Sequence, residues 1–240
     1  MTTAARHRLG PGLWSGALAE LADLALARSC AGCGRTGTRW CNGCAPALYG
    51  PVVRRTLGGD LHVWSAAPYD GVVQTALVGW KDRDRRDLGP VLAAAMGRAA
   101  LAAVTALGPA AAPGLLVVPA PSSIAARRGR GWQPTRDLGA RTTRRLRRQG
   151  TPARLLPVLR QRRGVADQAG LAAAGRATNL AGALWVPAGW HAAVRGRPVL
   201  LVDDVVTTGA TLLESVRALR DAGAGPVVAV TVAATALRHS

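Results

Sequence analysis

Apolar residues gather in short blocks along this chain, separated by polar and glycine-rich stretches. Leu115-Leu116-Val117-Val118, Val199-Leu200-Leu201-Val202 and Val227 to Ala233 are continuous apolar runs, the pattern of strands covered on both faces. Leu61 to Ala67 reads as a further strand. Between these runs the period changes to that of helices. Val72 to Trp80 predicts a helix ending near Lys81, and Leu88 to Leu107 an Ala-rich one. Residues 134–149 predict a third, with Pro134 in its first turn. Residues 211–222 predict a fourth, with Leu212, Val216 and Leu219 on one face and Gly223 closing it. Lys81 to Asp87 reads as a charged loop, Pro109 to Gly114 as a turn, and 160–185 as loop-rich. Strands alternating with helices predict an α/β fold, a mostly parallel sheet flanked by helices. No apolar run is expected to be long enough to span a bilayer.

The first 28 residues change this picture little. Arg6 and Arg8 precede an Ala/Leu-rich stretch ending in Ala25-Leu26-Ala27, which imitates a secretory signal. Glu20 and Asp23 interrupt the would-be apolar core, while Leu13, Ala17, Leu21 and Leu24 recur at helical spacing. The segment is therefore expected to be an amphipathic soluble helix of a cytoplasmic protein.

Composition adds a strong charge. The chain has 31 Lys and Arg against 13 Asp and Glu, a formal net charge of +18. That balance favours phosphorylated ligands or nucleic acid. Its densest cluster is Arg141, Arg144, Arg145, Arg147 and Arg148, equally readable as one solvated helix face. No aromatic residue interrupts the cluster, so a stacking platform for single strands is not evident.

All 4 cysteines fall in two tandem pairs, Cys30-Ala-Gly-Cys33 and Cys41-Asn-Gly-Cys44. Each pair presents two thiolates from one tight turn, and two such turns can close a tetrahedron around zinc. A ribbon this short could hardly bury a core of its own without a metal. Two disulfides would suit an oxidising compartment, and a redox site needs one such pair rather than two. The expectation is structural zinc on Cys30, Cys33, Cys41 and Cys44, in an N-terminal unit of residues 1–55, followed by a second domain at 56–240.

The segment with most chemistry is Val199-Leu-Leu-Val-Asp203-Asp204-Val-Val-Thr207-Thr208-Gly209-Ala210-Thr211. It reads as a buried strand, two acids, a small hydroxyl-and-glycine loop, and a helix. Ligands of α/β sheets bind at the carboxyl ends of strands. The loop offers backbone N–H groups and hydroxyls at a helix N-terminus, a ready anion site. Two acids beside it would repel a phosphate, so they suit ribose hydroxyls, with magnesium easing the repulsion. A sugar phosphate is the natural ligand.

This segment resembles the phosphoribosyl pyrophosphate (PRPP) signature of type I phosphoribosyltransferases. Together with the tandem cysteine pairs, it resembles the ComF family, from Cys30 to about Ala234. Tyr69-Asp70-Gly71 and Lys81 are similar to that family's Tyr-x-Gly and Lys landmarks. Val118-Pro119-Ala120-Pro121 is similar to its pyrophosphate-loop strand end, Arg128 to Gln133 to its Arg-rich segment, and Gln168, Arg176 and Asn179 to its Gln…Arg-x-x-Asn stretch. Trp132, Gln133, Pro134, Ser122, Ser123 and Leu184 depart from its usual residues.

The resemblance implies a type I phosphoribosyltransferase-like domain with a small zinc knuckle. It implies PRPP and magnesium as ligands: Asp203 and Asp204 on the ribose diol, Thr207, Thr208, Gly209, Ala210 and Thr211 on the 5′-phosphate, and Lys81, Arg128 and Arg130 near the pyrophosphate. Arg128 and Arg130 read equally as a solvated run, and Lys81 as a helix cap. It further implies a link to competence and DNA uptake. That leaves two functions open: phosphoribosyl transfer to a nitrogen acceptor, or a non-catalytic competence accessory that contacts single-stranded DNA or a helicase.

Overall fold

The computed structural model of the chain describes residues 29–111, 114–121, 132–162 and 182–236. The expected N-terminal helix, Arg128, Arg130, Gln168, Arg176 and Asn179 lie outside the described residues. The chain enters through the cysteine-bearing turns and a short helix α1 (Ala45–Tyr49). A hairpin follows, β1 (Val53–Leu57) and β2 (Leu61–Pro68), paired antiparallel with Leu57 opposite Leu61. Helices α2 (Gly71–Asp82) and α3 (Gly89–Leu107) lead to β3 (Leu115–Pro119). Helix α4 (Pro134–Arg148) leads to β4 (Ala153–Leu155). Two short strands, β5 (Arg160–Gln161) and β6 (Leu184–Trp185), pair with each other. Helix α5 (His191–Val194), β7 (Val199–Val206), helix α6 (Ala210–Asp221) and β8 (Val227–Ala234) complete the described chain.

Among the described residues, six strands form the main sheet in the order β1-β2-β8-β7-β3-β4. Only the β1–β2 pair is antiparallel; the other neighbours run parallel. The expected mostly parallel α/β sheet is therefore present, with one antiparallel edge. Its apolar runs alternate between faces as the strand period requires. Leu200, Val202, Leu115 and Val117 join Trp64, Trp80, Leu92, Met96, Leu138 and Leu146 on one side. Val199, Leu201, Leu116 and Val118 join Leu212, Val216, Leu219, Val194 and Leu156 on the other. Burying each of these large aliphatic side chains contributes about 1.5–3 kcal/mol, and helices on both faces are what let four parallel strands be apolar on both sides.

The structure differs from the sequence expectations at four points. The strand expected at Val199 to Val202 continues through Val206, because Asp203, Val205 and Val206 pair with Thr231, Ala233 and Ala234 of β8. The two acids are thus strand residues rather than the start of a loop. Lys81 and Asp82 are the last residues of α2, and Arg86–Leu88 form a 3-10 turn, so the charged loop is shorter than expected. The strands β1 and β4 carry no long apolar run and were not anticipated. Finally, one helical stretch among the described residues, Arg86–Ala111, is by length and composition apolar enough to cross a membrane. Its position accounts for that character: Leu92, Ala95, Met96, Ala99, Ala100 and Ala103 are buried against the sheet and α4.

Candidate functional site

The carboxyl edge of the parallel sheet gathers the candidate residues. Asp203 and Asp204 are the fifth and sixth of β7's eight residues. Asp203 Oδ1 accepts the Asp204 N–H at 2.8 Å, and Asp204 Oδ1 accepts the Val205 N–H at 2.9 Å. Next to Asp203 in the sheet, Thr231 shares a 2.7 Å hydrogen bond with Ser65 of β2, so a short polar row crosses the core towards the acids.

Asp204 is only 4% exposed, and the Lys81 Nζ from the end of α2 meets its Oδ2 at 2.5 Å. The sole lysine of the chain is therefore a partner of the acid pair. Burial and the Asp204 carboxylate push the Asp203 carboxyl well above the usual carboxylate range; the Lys81 charge opposes this without cancelling it. Among the described residues the two acids share one nearby lysine, which leaves their combined charge only partly offset when both ionise. That donor set fits a hard divalent cation such as magnesium, bound through one or two carboxylates and the oxygens of a phosphorylated ligand.

Beyond Val206 the chain turns through Thr207 and Thr208, both exposed, to Gly209 and enters α6. Gly209 has φ +81°, the left-handed region that a side chain disfavours. A Cβ there would also lie 2.4 Å from the Leu57 Cδ1 of β1. The turn thus favours glycine, and any side chain there would also have to displace the tip of Leu57 on the edge strand behind it. Among the described residues no side chain caps the α6 N-terminus, apart from a long 3.4 Å bond from the Ala210 N–H to the Thr208 hydroxyl. Four N–H groups at such an end lack helical partners, and the helix dipole favours an anion there.

Neighbouring strands bring the remaining landmarks to this edge. Pro119 pairs with Val202, and the Ala120 N–H donates to Val202 O at 2.8 Å, which sets the 118–121 strand end beside the acids. The Tyr69 N–H donates to Ala234 O at 2.7 Å, placing Tyr69-Asp70-Gly71 at the ends of β2 and β8. Trp132 packs edge-on against Trp80, with ring centroids 5.2 Å apart, and carries Arg86 over its face. His62 bonds to Thr56, and His191 to Val186 O; neither approaches the acids through a described contact.

A residue that sequence reasoning missed lies behind the loop. Arg55 of β1 is buried and donates from Nη2 to Val206 O at 2.8 Å and from Nη1 to Thr235 O at 3.3 Å. Its signal in the sequence was indirect. Gly58-Gly59-Asp60 ahead of the Leu61 strand marks a hairpin turn, and so implies a strand partner that carries Arg55.

The cysteines form a second centre. All four sulfurs lie within 4.8 Å of one another, with Cys33 and Cys41 at 3.6 Å, and none is in a disulfide. Metal–sulfur bonds of about 2.3 Å in a tetrahedron put sulfurs about 3.8 Å apart, so the cluster has the dimensions to hold one tetrahedral ion. Burial opposes ionisation of Cys30, but the N–H groups of Cys33, Cys41 and Gly32 outweigh it and bring the thiol down to about 6. Cys44 goes to about 12, raised by burial and by the neighbouring sulfurs. Gly32 is wedged between Cys44 Sγ and Val72 Cβ, each 2.9 Å from where its own Cβ would be, which docks the cysteine turns against α2. Arg85 and Arg39 add hydrogen bonds between the two parts, to Ser29 O and from Arg39 to Asp87 O.

Known proteins resemble parts of this chain. The family model for the phosphoribosyl transferase domain matches residues 191–239, which hold β7, the loop, α6 and β8. A ribose-phosphate pyrophosphokinase of Methanopyrus kandleri is 49% identical over 47 residues, 20% of this chain and 16% of that enzyme. The chain therefore spans far less than two thirds of this curated relative. A solved structure described as the allosteric regulatory enzyme of purine biosynthesis shares 25% identity over 49% of this chain and 21% of that one, at a TM-score of 0.29.

Proposed function

We propose that the carboxyl edge of the sheet binds PRPP, and that the chain is a phosphoribosyltransferase-like protein of the ComF type. The observation that carries this reading is the run from Asp203 to Thr211: a half-buried and a buried acid at the strand end, followed by a short loop that enters an uncapped helix N-terminus through a left-handed glycine. Thr207 to Thr211 hold the 5′-phosphate through backbone N–H groups and hydroxyls. Asp203 and Asp204 receive the ribose diol. The matched curated enzyme is named for ribose phosphate, and the match to the phosphoribosyl transferase domain covers this run, which supports the same ligand chemistry.

In the transfer reaction, the bond between the anomeric carbon and the pyrophosphate oxygen breaks, and pyrophosphate leaves with the electron pair. A nitrogen lone pair forms the new bond, and the nitrogen then loses a proton. Magnesium bound with PRPP would supply positive charge to the leaving pyrophosphate and to the acids. The chain contributes positioning and fixed charge. Lys81 limits repulsion within the acid pair, and the loop fixes the phosphate end of the sugar. Arg128 and Arg130 belong to the same proposal, on the pyrophosphate.

Structural zinc on Cys30, Cys33, Cys41 and Cys44, the division at residues 55 and 56, a cytoplasmic location and a role in competence complete the reading. Calorimetry with PRPP and magnesium tests it. Saturable binding by wild type that disappears in Asp203→Asn/Asp204→Asn is expected; no binding by the folded, zinc-loaded wild type would end it.

A second reading has its own observation. Arg141, Arg144, Arg145 and Arg148 of α4 line a groove of about 410 Å³ with Pro90, Ala93 and Ala94 of α3. In this reading the arginines contact the phosphates of single-stranded DNA, and the sheet edge is a scaffold. Oligonucleotide affinity would then fall steeply with salt and with Arg→Gln changes in α4. Oligonucleotide binding insensitive to both rules it out.

A further inference from the structure

Arg55 is the unusual charge in this fold. It is 9% exposed, and its Nε has no hydrogen-bond partner. Burial lowers the affinity of its guanidinium for the proton, and no carboxylate among the described residues opposes that effect. Two neutral carbonyls, Val206 O and Thr235 O, hold it instead. Carbonyl dipoles orient a cation without cancelling its charge, and a buried, unpaired ion is strongly unfavourable.

The location says what the missing counter-charge is. Val206 is the residue immediately before Thr207, and the Thr235 N–H returns to Val206 O at 3.0 Å. Arg55 therefore grips the entry of the loop. Leu57, two residues on along the same strand face, sits behind its glycine, within 2.4 Å of where a Gly209 Cβ would be. One strand thus supports the loop at two points, with a buried positive charge at the first and an apolar wall at the second. The loop itself ends in the uncapped N-terminus of α6.

We propose that Arg55 is a positioning residue of this site, and that the dianionic phosphate bound on Thr207 to Thr211 is the counter-ion its guanidinium lacks. This rests on the proposed ligand site and adds to it a residue 151 positions before Val206 in the chain. Arg55 does not touch the phosphate. It holds the carbonyls of Val206 and Thr235 away from the ligand, which leaves N–H groups facing it, and its field adds to that of the α6 N-terminus. In the absence of ligand the charge is a burden on the fold; with ligand it is compensated.

That duality makes stability and affinity move in opposite directions. Arg55→Met replaces the guanidinium by an apolar chain of similar length. It should lower affinity for ribose 5-phosphate, and for PRPP with magnesium, at least about tenfold. Without ligand its melting temperature should equal or exceed that of wild type. Arg55→Lys keeps a charge and donors for the carbonyls, and should bind within about threefold of wild type. A residue needed only for packing would lose stability and affinity together, with no rescue by lysine.

The experiment is calorimetry of both ligands on the full-length, metal-loaded wild type and the two variants, alongside ligand-free thermal unfolding. A second readout needs no Arg55→Met protein. The Arg55 Nε–H resonance of the wild type, assigned by its absence in Arg55→Lys, should shift on adding ribose 5-phosphate. Arg55→Met binding as tightly as wild type, or an unmoved resonance in ligand-saturated protein, overturns this inference while leaving the ligand site standing. Wild type that binds neither ligand overturns both.

Discussion

Replacing Gly209 by alanine probes the candidate site at its most constrained point. Two costs can be worked from the structure. The backbone is at φ +81°, and holding a residue with a Cβ in the left-handed region costs roughly 1–2 kcal/mol. The new Cβ would also stand 2.4 Å from Leu57 Cδ1. The leucine tip can turn, but it is packed on the face that carries Leu212 and Leu213, so overpacking adds about 1–3 kcal/mol. Together these predict a destabilisation of about 2–5 kcal/mol. For a domain of this size that lowers the melting temperature by roughly 5–15 °C. Calorimetric or circular-dichroism melting of the ligand-free protein measures it. The double variant Gly209→Ala/Leu57→Ala separates the two costs, because it removes the clash and leaves the backbone strain. It should show favourable coupling between the sites of about 1 kcal/mol or more. A Gly209→Ala protein melting within a degree of wild type would refute both the left-handed turn and the close approach of β1.

Three other outcomes follow from the same geometry. The raised Asp203 carboxyl means that the folded chain holds a proton the unfolded chain has lost, so ligand-free stability falls as pH rises above the ordinary Asp value of about 3.9. Asp203→Asn should therefore be more stable than wild type at neutral pH, with the advantage vanishing near pH 4; denaturant titrations showing a less stable variant at both pH values would contradict this. Glu214 is the opposite case. Burial works against its charge, but the Arg217 guanidinium and the Leu184 N–H outweigh it and hold its carboxyl below the usual value. Its contribution is complete above about pH 4.5 and lost as pH falls through the lowered value, so Glu214→Gln should flatten the acid limb of the stability profile. A chelator that strips the Cys30, Cys33, Cys41 and Cys44 centre should lower the melting temperature and shift emission from Trp40, which packs on that cluster, to longer wavelength, with both reversed by zinc; an unchanged melt after verified metal loss would show that the cysteine turns hold without a metal.

Much of the fold was legible because its strands are short, apolar on both faces and separated by amphipathic helices. Val199 to Val202 and Val227 to Ala233 announced a parallel sheet through composition alone. The strand end was misjudged at Asp203 because charge normally marks a boundary, whereas here pairing with Thr231 and Ala233 carries the strand on to Val206. The edge strands β1 and β4 were missed because half-exposed strands carry few consecutive apolar residues. The Arg86–Ala111 stretch shows why composition alone is ambiguous: an Ala-rich helix buried against a sheet has the composition of a membrane span.

The sequence by itself determined what is local. The tandem cysteine pairs, the order of strand, acids, loop and helix from Val199 to Thr211, and the need for glycine at 209 are properties of residues close together in the chain, where spacing and backbone preference act directly. Tertiary structure decided which distant residues join them. Lys81 reaches Asp204 because α2 packs against the face of the sheet that β7 crosses, and Arg55 reaches Val206 because an antiparallel edge strand passes behind the loop. No periodicity encodes such pairings. They arise when burying two apolar faces brings the carboxyl ends of parallel strands together at one edge, and charges carried there must find partners or a ligand.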